Sequence, residues 1–164
     1  MQSSPPILFD RSLLRKRRAR RSADFARADF LHREAAASVA ESLSYITRAF
    51  PTIVELGAQG GLLRAVLEGR AGTTCYLACD AIAEPGLAVV VDEEKLPFAE
   101  NSVDAVVSVL ALQWVNDLPG TLAHDGGHME VAERQNVFDI DQNAEGAGPG
   151  SQMARLALVQ ASHE

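Results

Sequence analysis

Three glycines in five residues, Gly57-Ala58-Gln59-Gly60-Gly61, stand between an apolar run and a helical one. Residues 53–56 read as a short buried strand. From Leu62 onward, Leu62, Leu63, Val66 and Leu67 recur at helical spacing, which predicts a helix with those four side chains facing inward and Gly69 as its cap. A glycine turn that joins a strand to a helix lets the backbone turn tightly and approach a ligand, and the helix start offers free N–H groups. Alone, such a turn is only a turn. Acidic residues further along the chain narrow the reading.

Residues 74–79 read as a second strand, closed by Asp80, about 20 residues after the glycines, where a carboxylate can take ribose hydroxyls. Residues 87–91 read as a third, closed by Asp92, where a carboxylate can accept a hydrogen bond from an adenine amino group. Glu55 precedes the glycines. A negative charge there repels phosphate but suits a ligand carrying an amine and a sulfonium, the reverse of a dinucleotide site. Residues 105–112 read as a fourth strand, continuous and rich in β-branched residues as in a strand buried on both faces. Strands alternating with helices predict a parallel sheet with right-handed crossovers.

Ahead of the first strand, Leu31, Ala35, Val39, Leu43, Ile46 and Phe50 define one face of a long amphipathic helix that Pro51 ends. Residues 15–21 are a basic cluster, expected to be helical and solvated. The first 34 residues hold nine Lys/Arg against four Asp/Glu, whereas the rest of the 164-residue chain holds six against eighteen. The basic end suits an anionic surface, but the acidic body argues against nucleic acid as the partner. No run approaches the about 20 apolar residues that cross a bilayer, so no membrane insertion is expected.

Cys75 and Cys79 fall on one face of the second predicted strand about 13 Å apart, too far for a disulfide, and are expected to be buried free thiols. Trp114 is expected to pack near the end of the fourth strand, and Asn116 or Asp117 to cap a helix beginning at Leu118. His124, Asp125 and His128 include metal-ligand types, but no metal site is expected there.

The segment Glu55-Leu56-Gly57-Ala58-Gln59-Gly60-Gly61, the run Asp92-Glu93-Glu94-Lys95-Leu96-Pro97-Phe98 and the Ser102-Val103-Asp104 step before a strand resemble the class I (Rossmann-like) methyltransferases of the type-11 group. Leu112-Gln113-Trp114 through Pro119-Gly120, and Phe9-Asp10-Arg11 before a basic helix, resemble the subfamily of the complex I assembly factor 5 and its alphaproteobacterial relatives, itself similar to the biotin-pathway malonyl carrier-protein methyltransferases. The resemblance covers about residues 7–122. It implies S-adenosylmethionine as cofactor, held by Glu55, Gly57, Gly61, Asp80, Asp92 and the adjacent Glu93. It implies methyl transfer to an unidentified acceptor, a protein or a respiratory complex I subunit among the candidates. Arginine hydroxylation of a partner is the alternative, and a non-catalytic fragment a third reading. Gln59 departs from the family's small turn residue and is expected to crowd the methionine part of the ligand.

The expected fold is therefore α/β, a Rossmann-like parallel sheet of about four strands that stops before the family's fifth. The chain divides into a basic and amphipathic helical region (1–50), the partial cofactor-binding domain (51–122) and an irregular tail (123–164). A fourth strand left as a sheet edge is expected to favour aggregation or dimerisation and low stability. Only eight residues precede Phe9, too few for a presequence, so a bacterial cytoplasmic location is expected, and a mitochondrial matrix one only for a eukaryotic source.

Overall fold

The alternation of strand and helix signals is met by four parallel strands. The computed structural model describes residues 7–70, 72–99 and 102–123, with side chains described up to residue 121. In chain order the elements are α1 (Arg11–Arg21), a 3-10 turn (Ser22–Arg27), α2 (Phe30–Ser44), β1 (Thr52–Leu56), α3 (Leu62–Leu67), β2 (Cys75–Asp80), β3 (Val89–Val90), β4 (Ala105–Ser108) and α4 (Leu118–Ala123). The strand order is β3-β2-β1-β4, and every pairing is parallel. In the register, Val54 stands opposite Leu77 on one side and Val106 on the other.

Alternation along the strands splits the core in two. On one face Ile53, Ala105 and Val107 pack with Ala35, Ala36, Val39 and Leu43 of α2, with Phe50, and with Leu63 and Leu67 of α3. On the other, Val54, Leu56, Cys79 and Val106 pack with Val91, Leu96, Val103, Leu112 and Val115. Covering on both faces is why the apolar residues of β1 and β4 do not alternate with exposed polar ones.

Several elements are shorter than the sequence predicts. β4 ends at Ser108, whose hydroxyl donates to the Leu56 carbonyl at 2.9 Å. The chain then leaves the sheet through Leu110 at φ 53° into a 3-10 turn at Leu112–Trp114. β3 has only two residues, both exposed on the sheet edge. α2 stops at Ser44, well before Pro51, and Leu31 stands 44% exposed at its start. The segment after α2 is held instead by Arg70, whose guanidinium donates to the carbonyls of Leu43 (2.5 Å) and Ile46 (2.6 Å) and lies over the Phe50 ring.

Two further expected core residues are not buried. Val66 is 50% exposed: α3 has less than two turns and buries Leu63 and Leu67, with Leu62 partly buried beside them. Cys75 is exposed at the start of β2, whereas Cys79 is buried and its thiol is pushed up to about 11, burial being the main cause. The helix stop holds as expected: Gly69 follows α3 with φ 96°.

Candidate functional site

The glycine turn is clamped to the end of β2. The N–H groups of Gly57 and Ala58 both donate to the Cys79 carbonyl, at 2.9 and 3.0 Å, which sets the turn beside Asp80. Gly57 has φ 77°, and a Cβ there would lie 2.2 Å from the Ala111 methyl. Only glycine fits that conformation and that space. Gly61 also has positive φ, but a Cβ there would meet nothing within 4 Å, so this side of the turn is open. Gly60, between them, lies under the Phe25 ring.

Asp80 closes β2 with its side chain fully buried. Its Oδ1 accepts the Ile82 N–H at 3.2 Å, and its Oδ2 accepts from Arg18 at 2.6 Å. The Val91 N–H donates to the Asp80 carbonyl, which brings Asp92 to the same end of the sheet. Burial opposes ionisation of Asp92, but Arg15, the Glu94 N–H and Arg11 outweigh it and hold the carboxyl below the usual range. Glu93 is buried and pairs with Arg11. Gly57, Gly61, Asp80, Asp92 and Glu93 therefore meet at the carboxyl ends of the strands, where open α/β sheets bind ligands.

Glu55 behaves differently. It alternates with Val54 and Leu56, so it shares the face of Ile53 and the α2–α3 core. It is 2% exposed, and its carboxyl accepts from the Tyr76 hydroxyl at 2.9 Å. Burial pushes it up to about 7; the Tyr76 bond and Arg64 oppose the rise and the charge of Asp80 adds to it. Burial and the same carboxyl raise the Tyr76 phenol in turn.

The basic cluster is helical as expected, but it is solvated on one side only. Lys16, Arg17, Arg20 and Arg21 are exposed. Arg15 and Arg18 turn onto Asp92 (2.5 Å) and Asp80, and Arg11 joins Asp92 (3.0 Å), Glu93 and Glu94 (3.0 Å). Sequence reasoning missed these three arginines as site residues. Their spacing, one face of a helix at 11, 15 and 18, was the available signal. Gln59 meets this helix as well, its Oε1 3.4 Å from Arg18.

Arg11, Arg15, Arg18, Ala111 and Trp114 line the small cleft that remains at this end of the sheet. Trp114 is 41% exposed and stands edge-on to Phe9. Asp117 caps α4, accepting the Gly120 N–H at 2.9 Å. Asn116 instead grips the N-terminal segment through the N–H groups of Leu8 (2.7 Å) and Phe9 (2.8 Å).

Chemically the site presents carboxylates that arginines of α1 already engage, beside the open side of Gly61. Asp80 and Asp92 are acceptors of the kind that hydroxyl and amino donors suit, and Gly61 leaves room beside them. Among the described residues no cluster of His, Cys, Asp or Glu could hold a metal ion, and no helix is long and apolar enough to cross a membrane. His124, Asp125 and His128 lie outside the described residues.

A family model described as a methyltransferase domain matches residues 54–124. The curated protein arginine-hydroxylase NDUFAF5, mitochondrial, of Homo sapiens is 37% identical over 128 residues, 70% of this chain and 36% of its own length. The Danio rerio protein of the same name is 31% identical over 126 residues, 70% of this chain and 39% of its own. This chain thus spans little more than a third of these relatives. Among solved structures, the complex between the Haloferax volcanii Trm112 methyltransferase activator and a methyltransferase contains a chain matched at TM-score 0.55 and 22% identity, over 68% of this chain and 53% of that one. That likeness shows the fold, a Rossmann-like methyltransferase sheet.

Proposed function

This chain belongs to the class I S-adenosylmethionine-dependent methyltransferases, close to the NDUFAF5 subfamily, and on that premise we propose that it binds S-adenosylmethionine at the glycine turn and takes part in methyl transfer to a protein acceptor. The observation that carries this reading is Asp80, a carboxylate with no exposed surface, fixed at a strand end beside a glycine turn of positive φ. Buried charge is retained where it has a partner; Arg18 fills that place in this structure, and ribose hydroxyls are the other partner this position suits.

In this reading Asp80 takes the ribose and Asp92 the adenine amino group, while the backbone from Gly57 to Gly61 receives the amino-acid half. Bound S-adenosylmethionine supplies a methyl group activated by its sulfonium. The contribution of the chain is to orient and to keep water out, which is how positioning lowers a barrier. Phe9 and Trp114 form an aromatic wall beside the cleft and suit that second task. In this reading Glu55, expected from the family resemblance to hold the cofactor, is assigned instead to joining β1 and β2 through Tyr76.

A second reading rests on the name that the NDUFAF5 relatives carry, hydroxylation of a protein arginine. The family resemblance makes a respiratory complex I subunit the acceptor to try first. Mass spectrometry of the acceptor separates the two chemistries: a gain of one methylene supports transfer, a gain of one oxygen supports hydroxylation.

Calorimetric titration with S-adenosylhomocysteine tests the site itself. Wild-type protein is expected to bind. Asp80→Ala removes a charged acceptor, an effect of about 1.5–3 kcal/mol, and Gly57→Val adds a branched side chain against Ala111. Binding unchanged in both variants refutes the assignment.

A further inference from the structure

The side chains already sitting on the two aspartates come from α1. Arg18 holds Asp80 Oδ2 at 2.6 Å while the Ile82 N–H holds Oδ1. Arg15 holds Asp92 Oδ2 at 2.5 Å, and Oδ1 receives the Glu94 N–H at 3.1 Å and Arg11 at 3.0 Å. Every carboxylate oxygen that the nucleoside requires therefore has a donor from the chain. No residue of the helix making these contacts is fully buried, and Leu14 is only half-buried at the cleft, so the helix has no deep apolar seat.

α1 is nevertheless held at both ends. Before it, Asn116 takes the N–H groups of Leu8 and Phe9. After it, the Phe25 ring lies against Gly60 of the glycine turn. Between those two points the helix runs over the site as a strap, with Arg11, Arg15 and Arg18 on its underside and Lys16 and Arg17 exposed. A buried charge such as Asp80 requires a counter-charge or strong donors. Arg18 provides one; a pair of ribose hydroxyls provides the other.

We propose that α1 is a self-inhibiting strap, with Arg18 and Arg15 as placeholders on Asp80 and Asp92 that the cofactor must displace. This rests on the assignment of the nucleoside to those two carboxylates. Because linkage is reciprocal, cofactor binding loosens α1 and loosening α1 tightens cofactor binding.

The test uses the whole chain, titrated with S-adenosylhomocysteine, together with hydrogen exchange of residues 11–21 with and without that ligand. Arg18→Gln is expected to bind about tenfold more tightly than wild type, the gain from removing a closed state populated at about 90%. Arg15→Gln shifts in the same direction by less, and Arg17→Gln, on the exposed face, does not shift. Exchange in α1 becomes faster when the ligand is bound. The proposal fails if Arg18→Gln binds equally or more weakly, or if the ligand slows exchange in α1, because the arginines are then ligand contacts. An equal gain in Arg17→Gln also defeats it, since the effect is then general charge. If Arg18→Gln does not fold, the exchange measurement on wild type decides. Ligand binding lost in Asp80→Asn with no gain in Arg18→Gln removes the strap and keeps the site; no binding in any variant removes both.

Discussion

Two helices precede the first strand, and they are attached to the same sheet by different physics. α2 buries Ala35, Ala36, Val39 and Leu43 against one face of the sheet, with Leu43 wholly inaccessible. α1 has no fully buried residue and is held by arginines on carboxylates at the sheet end. Apolar burial is non-directional and insensitive to salt, whereas ion pairs at a partly exposed edge are screened and interchangeable with other donors. Attachment by packing makes α2 part of the fold. Attachment by charge makes α1 a competitor for whatever else those carboxylates bind.

The contrast breaks most visibly by deleting buried atoms. Leu43→Ala is expected to lower stability by about 2–5 kcal/mol, read from urea unfolding, while Arg15→Ala on α1 changes it by less than about 1 kcal/mol. Equal losses in the two variants mean that α1 is as much core as α2.

Arg70 tests whether charge also helps to seat α2. It donates to the Leu43 and Ile46 carbonyls at the end of that helix, and Arg70→Met keeps the stem but removes the donors. The expected loss is about 1.5–3 kcal/mol, with a lower protection of the amides around residues 43–46. An unchanged melting midpoint means that Phe50 and its neighbours hold the segment without it.

Glu55 sharpens the comparison from the apolar side, where an ionised group is out of place. Its folded value of about 7 exceeds the usual 4.5 because burial disfavours the charged form, with Asp80 adding to the rise and Tyr76 and Arg64 opposing it. The folded state thus holds this proton more tightly than the unfolded chain does. The contribution of Glu55 to stability is complete below pH 4.5 and is lost as pH rises to about 7. Glu55→Gln, which retains an acceptor for Tyr76, is expected to be more stable than wild type at pH 8 by about 3 kcal/mol and indistinguishable from it near pH 4. A difference that does not grow across that interval, tracked by chemical unfolding, contradicts the assignment.

The smallest effect is that of salt. Raising ionic strength from about 0.05 to about 0.5 M shortens the Debye length several-fold. Hydrogen exchange in residues 11–21 is expected to quicken by a few-fold, while residues 35–43 of α2 keep their protection. Equal responses in the two helices erase the distinction.

Much of the sheet was legible in the sequence. The glycine turn, the acids after the second and third strands, and the apolar runs each depend on local properties: backbone freedom at Gly57, strand-end position at Asp80, period-free apolarity in β4. Boundaries were less legible. β4 ends at Ser108 although Val109, Leu110 and Ala111 continue the apolar run, because the chain must turn at Leu110 to bring Ala111 against Gly57. Val66 fits the helical period but is half exposed, since the face of α3 on the core is set by Leu63 and Leu67.

The sequence by itself determined the order of strands and helices, the need for glycine at the turn and the presence of acids near the strand ends, since these are properties of short segments. Only the tertiary structure decided which charges meet. Arg18 and Asp80 are 62 residues apart, and Arg15 and Asp92 are 77. A run of arginines has the same composition whether it faces water or a buried carboxylate, so no local pattern separates the two. The choice is made when the sheet forms and sets Asp80 and Asp92 side by side, because burying those charges then requires a donor, and the face of α1 carrying Arg11, Arg15 and Arg18 is the one that supplies it.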